Sequence, residues 1–198
     1  MNEKEVLFHW NYYQTLERKL ENTTQYVSHD YDKENECYKF GEAYSFEFQQ
    51  LLILASVEFE SILKLLCDSQ DKEGIISLTN KTLQNYPHIN DIKLVSPFAD
   101  IIPLKDWEVV YQSDKNEKVK GIKWWTAYTN IKHWGHKSFF EANLENVIYA
   151  MASLYVVELY YVQSKLLRTV GKETSYFSSD YQLYDLAGSG PMLPGINR

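Results

Sequence analysis

The sequence predicts an all-α protein, a helical bundle, and three observations carry that expectation. Two long segments repeat apolar residues in steps of three and four, the spacing of one buried helix face. The β-friendly fragments between them are too short to anchor a sheet. A chain of 198 residues that is 44% hydrophobic can bury a core without disulfides or metals, so the stripes must pack on one another.

The elements follow in order. Residues 4–27 hold no Gly or Pro, and Phe8, Tyr12, Leu16, Leu20 and Val27 are expected to form the buried stripe of a first helix. After a polar linker (SHDYDKENE), a strong helix is expected over 43–67, its stripe reading Phe48, Leu51, Leu52, Ala55, Phe59, Ile62, Leu63 and Leu66. A shorter helix over 72–85 stops at Tyr86-Pro87, because the ring of proline disfavours helical backbone in the residue before it. Residues 88–119, broken by Pro97 and Pro103, read as an irregular insertion with room for a short β-hairpin. Helix returns near Gly121, breaks near Gly135 and resumes over 140–170 with Leu144, Val147, Ile148, Met151, Tyr155, Leu159, Val162 and Leu166 inward. Residues 1–170 are expected to form one domain. Residues 171–198 form a partly flexible tail that either packs back through Tyr176, Phe177, Tyr181 and Tyr184 or stays mobile.

Charge narrows the function. Twenty Lys+Arg against 27 Asp+Glu give a net charge of −7, which argues against unselective gripping of nucleic acid. The longest charge-free hydrophobic run, Asn146 to Val157, is too short to span a bilayer, and Met1–Asn11 lacks the apolar segment of a signal peptide. With two cysteines at no metal-like spacing, a cytoplasmic protein without membrane contact is expected. The average hides one basic segment. Lys115 to Lys137 holds six Lys against the single acid Glu117, interleaved with Trp124, Trp125, Tyr128 and Trp134. Cations beside aromatic faces suit a phosphate backbone with stacked bases, although the same pattern describes a solvated loop running into a helix with its rings in the core.

Within that segment Tyr128, Asn130, Lys132, His133 and His136 form the densest polar and aromatic group. Imidazole titrates near neutral pH, so His133 suits proton transfer or phosphate contact, with Lys132 able to steady negative charge on a phosphate. Asn130 would orient, and Tyr128, His136, Lys137, Trp124 and Lys123 would bind. The bland alternative is a His133 that merely bonds a carbonyl inside the bundle. His133 and His136 lack a third ligand nearby, so no metal is expected, and no cofactor. Glu58 sits at the edge of the second helix's apolar stripe and would want a partner. Lys132 or His133 is a candidate; the face holding Lys64, or solvent, is the alternative. His9, His29 and His88 lie in unrelated polar settings and carry no functional signal.

Three stretches then carry a resemblance: AYSFEFQQLLILASVEFESILKLL, WWTAYTNIKHWGH and ANLENVIYAMASLYVVELYY. Together they resemble the HEPN superfamily over residues 43–68 and 121–163, and are similar to its bacterial members with a YN-x-x-KH-type signature, written YTNIKH here. The resemblance implies an up-and-down bundle that pairs as a homodimer. It also implies association with RNA or nucleotides in a toxin–antitoxin, phage-defence or abortive-infection system, in some members with metal-independent ribonuclease activity and an antitoxin-like partner. It places His133 on the family histidine, Asn130 near the polar position after the family arginine, and Tyr128 where that arginine falls. No Arg lies between Arg18 and Arg168, and Lys132 or Lys137 is no substitute for a planar fork. The resemblance therefore leads to an RNA- or nucleotide-associating protein, a degenerate ribonuclease at most, with Glu58 supporting the site from behind. The rival expectation is a non-enzymatic helical scaffold for protein contacts.

Overall fold

The computed structural model describes residues 3–69, 72–111, 117–166, 174 and 176–179. Five α-helices dominate them: α1 (Glu3–Asn22), α2 (Phe46–Leu66), α3 (Ile75–Asn85), α4 (Lys123–Trp134) and α5 (Leu144–Leu166). The expectation of a purely α-helical chain is corrected by seven short strands: β1 (Tyr31–Asp32), β2 (Cys37–Tyr38), β3 (Leu94–Val95), β4 (Asp100–Ile101), β5 (Glu108–Tyr111), β6 (Glu117–Lys120) and β7 (Ser178–Ser179). They form two hairpins, β1-β2 and β5-β6, and a three-stranded antiparallel sheet in the order β4-β3-β7. Most are two residues long, too short to show a period of two in a sequence.

Local chemistry sets the helix ends. Ser45 caps α2 by accepting the Phe48 amide at 3.0 Å. At Gly121 φ is +89°, and a Cβ would lie 2.4 Å from the Asp106 carbonyl, so only glycine lets β6 turn into α4 against the 106–107 backbone. Gly135, at φ +53°, ends α4 and hands the chain to a 3-10 segment, Gly135–Glu141.

All eight residues of the α2 stripe are buried. In α1 the expected stripe is corrected: Phe8 is exposed and Tyr12 half-buried, while Val6, Trp10, Tyr13, Leu16, Glu17 and Leu20 face the core. The true face was hidden because it carries a charge. Glu17 is buried and accepts the Tyr13 hydroxyl at 2.7 Å, the Thr174 hydroxyl, and the amides of Tyr176 and Phe177 at 3.3 and 3.2 Å. α5 is corrected too. It does not bury one stripe but nearly its whole surface from Leu144 to Val162, packed between α1, α2 and α4.

Beyond α5 the chain returns at Tyr176 and Phe177, both buried, and β7 joins β3; Tyr181 and Tyr184 lie outside the described residues. This return rests on His29 as well as Glu17. The Thr23 hydroxyl donates to the Leu20 carbonyl, so it accepts from His29 Nε2 at 2.8 Å. His29 Nδ1 is then the acceptor for the Tyr176 hydroxyl at 2.6 Å.

Burial lowers the His29 imidazole to about 4, so it is neutral in the folded protein at pH 6 and largely protonated in the unfolded chain below 6.5. The unfolded state binds the extra proton between these values, so His29 costs stability as pH falls through 6.5 towards 4, by about 3 kcal/mol in all. An NMR titration of the His29 ring should show a midpoint near 4; a midpoint near 6.5 would contradict this packing.

Candidate functional site

The last turn of α4 and the 3-10 segment after it separate the expected site residues into two groups. Lys132, His133, His136 and Lys137 are exposed, and Trp134 between them is 61% exposed. Lys132 leans over the Tyr128 ring, 5.8 Å from its centroid. None of Lys132, His133, His136 and Lys137 pairs with an acid among the described residues. Cations here also complement the negative end of the α4 dipole.

The other residues lie elsewhere. Trp124, expected at a binding surface, is 1% exposed, its ring edge-on to Phe59 at 5.0 Å. Tyr128 is likewise buried and packs against Trp125. The reason is helical period: α4 turns Trp124, Ala127, Tyr128 and Ile131 inward. Lys123 is exposed at the opposite end of α4, about 14 Å along the axis from Lys132. Asn130 is not free to orient a ligand with its amide nitrogen, which donates to both Glu141 oxygens at 3.1 and 2.9 Å. His133 and His136 gather no third metal-ligating side chain among the described residues. The depressions lined by Tyr31, Pro97 and Phe98 and by Asp91, Lys105 and Glu108 hold none of these residues.

Aromatic surface adjoins the cations. On the same 3-10 segment Phe139 receives Tyr44 and Phe46, with ring centroids 5.4 and 4.6 Å away. Tyr44, Phe46 and Phe140 are themselves exposed.

Glu58 has a different partner from either expected lysine or histidine. His9 on α1 meets it, Nδ1 to Oε1 at 2.5 Å. Glu158 on α5 completes a group in which one nitrogen of His9 and one oxygen from each carboxylate lie within 4.8 Å of one another. Glu158 is fully buried, and neither of its oxygens has a hydrogen-bond partner among the described residues. Burial first, then the charge of Glu58, holds its carboxyl well above the usual range. Partial burial first, then the charge of Glu58, raises the Tyr12 phenol. Tyr161, whose ring stands edge-on to His9 at 5.8 Å, is pushed to about 12 by burial with help from Glu5, Glu158 and Glu58. Sequence reasoning assigned neither His9 nor Glu158. The available signal was a carboxylate closing the charge-free run 146–157, the counterpart of Glu58 in the α2 stripe.

Comparison with protein-family models, with curated proteins and with solved structures finds no match to this chain.

The Asn130–Glu141 pair ties α4 to the end of the 3-10 segment. Asn130→Ala should cost about 1.5–3 kcal/mol, the range for hydrogen bonds to a charged group, read as a lowered urea midpoint. An unchanged midpoint would remove Asn130 as the tie.

Proposed function

We propose that the chain is an RNA- or nucleotide-associating HEPN-like protein of a bacterial defence or stress system, which binds its ligand at the C-terminal end of α4. One observation carries the reading: Lys132, His133, Trp134, His136 and Lys137, close together at the end of α4, are all open to solvent, in a molecule whose overall charge is negative. The two ammonium groups meet phosphates as point charges, the imidazoles donate hydrogen bonds to phosphate oxygen, and the Trp134 indole gives a base a stacking face.

Association fits these residues better than cleavage. Scission without a metal would have His133 take the proton of a 2′-hydroxyl as that oxygen attacks the adjacent phosphate and the bond to the 5′-oxygen breaks, the leaving oxygen taking a proton from water, with a fork-shaped cation on the phosphoryl oxygens. The resemblance puts that cation at residue 128, where this chain has a buried tyrosine. Pairing of two copies with their α4 ends together is the arrangement the resemblance favours, and it would double the local charge. A second reading draws on Tyr44, Phe46 and Phe140: exposed aromatics beside a cationic rim also suit a protein partner, of the antitoxin type or otherwise.

Fluorescence polarisation with a short labelled single-stranded RNA separates the two. Neutralising two phosphates predicts an affinity loss of about seven-fold between 50 and 200 mM salt. Trp134→Ala should weaken binding about ten-fold, the value of one stacked base, and Lys132→Ala with Lys137→Ala should flatten the salt dependence. Absence of binding at the lower salt would overturn the RNA reading and leave the scaffold.

A further inference from the structure

We propose that His9, Glu58 and Glu158 form a binding site for one divalent first-row transition cation, built inside the bundle from α1, α2 and α5. This site is separate from the α4 surface and does not rest on it.

Three helices each contribute one donor, and the donor atoms already lie within 4.8 Å of one another. Facing helices are where a bundle builds such sites. Two carboxyl groups lie in the core, and no Lys or Arg pairs with either one among the described residues. A cation of charge +2 that displaced the proton of Glu158 would balance both as carboxylates. Glu158 is the telling member, because a wholly buried carboxyl group with no hydrogen-bond donor among the described residues lacks the compensation that burial demands. One of its oxygens lies within 4.8 Å of both other donors, and neither oxygen accepts a hydrogen bond among the described residues.

The donor set selects the class of ion. Imidazole disfavours calcium and magnesium, which want six or more oxygens, while one nitrogen with two carboxylate oxygens suits zinc, iron(II), cobalt(II) or manganese(II). Bonds of 2.0–2.1 Å around a tetrahedral ion set donors about 3.3 Å apart. His9 Nδ1 and Glu58 Oε1, at 2.5 Å, would separate slightly, exchanging their hydrogen bond for two metal bonds. The other donors would draw in from their present limit of 4.8 Å. Three protein ligands leave a fourth position open. The His9 and Glu58 side chains keep 16% and 11% of their exposure, so water can supply that fourth ligand. The Tyr161 ring, edge-on to His9, holds the imidazole plane.

The test is a titration of the chelator-treated full chain with cobalt(II), whose visible bands report coordination, followed by displacement with zinc. One equivalent should bind, and zinc should raise the melting temperature. Glu158→Gln keeps the volume and relieves the carboxylate repulsion, so it should stay folded by circular dichroism while binding at least about 100-fold more weakly. His9→Gln should lose the same bands, which guards against a fault peculiar to one variant. Three results would each overturn the assignment: no cobalt bands and no thermal shift in the unaltered chain; bands unchanged in Glu158→Gln and His9→Gln; or bands lost only in a His133→Ala, His136→Ala variant, which would place the ion on surface imidazoles.

Discussion

A helix that is apolar on every side has to be surrounded, and α5 imposes that constraint on the whole chain. From Leu144 to Val162 almost every side chain is buried, so α1, α2 and α4 are placed by the need to cover it. At about 25 cal/mol per Å2 of apolar surface, burial over this length is a large contribution to the stability of the fold. The position of Glu158 in this driest of helices is therefore costly. Glu58 beside it adds to that cost, and His9 offsets the part that belongs to Glu58.

Consecutive residues of α2 couple the two chemically distinct parts of the molecule. Glu58 meets His9 of α1, while Phe59 packs edge-on against Trp124 and so fixes the rotation of α4. That rotation decides which side chains of YTNIKH are wet: Tyr128 goes inward, and Lys132 and His133 come out past the end of the apolar face. Neighbouring residues of α2 thus bear on an acidic, enclosed group and, through the packing of α4, on a basic, exposed one. The two groups call for ligands of opposite sign.

The parts of the fold legible in the sequence were those with uniform patterning. The α2 stripe was readable residue by residue because its eight apolar residues keep the helical spacing without a gap, and Tyr86-Pro87 and Gly135 marked two helix ends through backbone chemistry alone. α1 was misread because its buried face contains Glu17, which pattern reading sends to solvent, and its exposed face contains Phe8. Strands of two residues leave no periodicity to read. At the candidate sites, residue type was readable but partnership was not. Glu58 advertised itself as a carboxylate in an apolar stripe, yet its partner His9 lies 49 residues away on a helix with its own reasons for being polar there. Asn130 looked like a ligand-orienting amide, and its actual tie to Glu141 depends on how the 3-10 segment folds back.

The Glu17 carboxylate has a consequence for synthesis of the chain. Its donors at Thr174, Tyr176 and Phe177 lie 157 to 160 residues downstream, so they leave the ribosome long after α1 has done so. Until they emerge, a charge belonging to the inner face of α1 has to remain hydrated, and the seam between α1 and the nascent bundle stays open. The final docking of the first helix is thereby deferred until residues 174–177 have been made, and the inner face of α1 waits for them with its carboxylate in water.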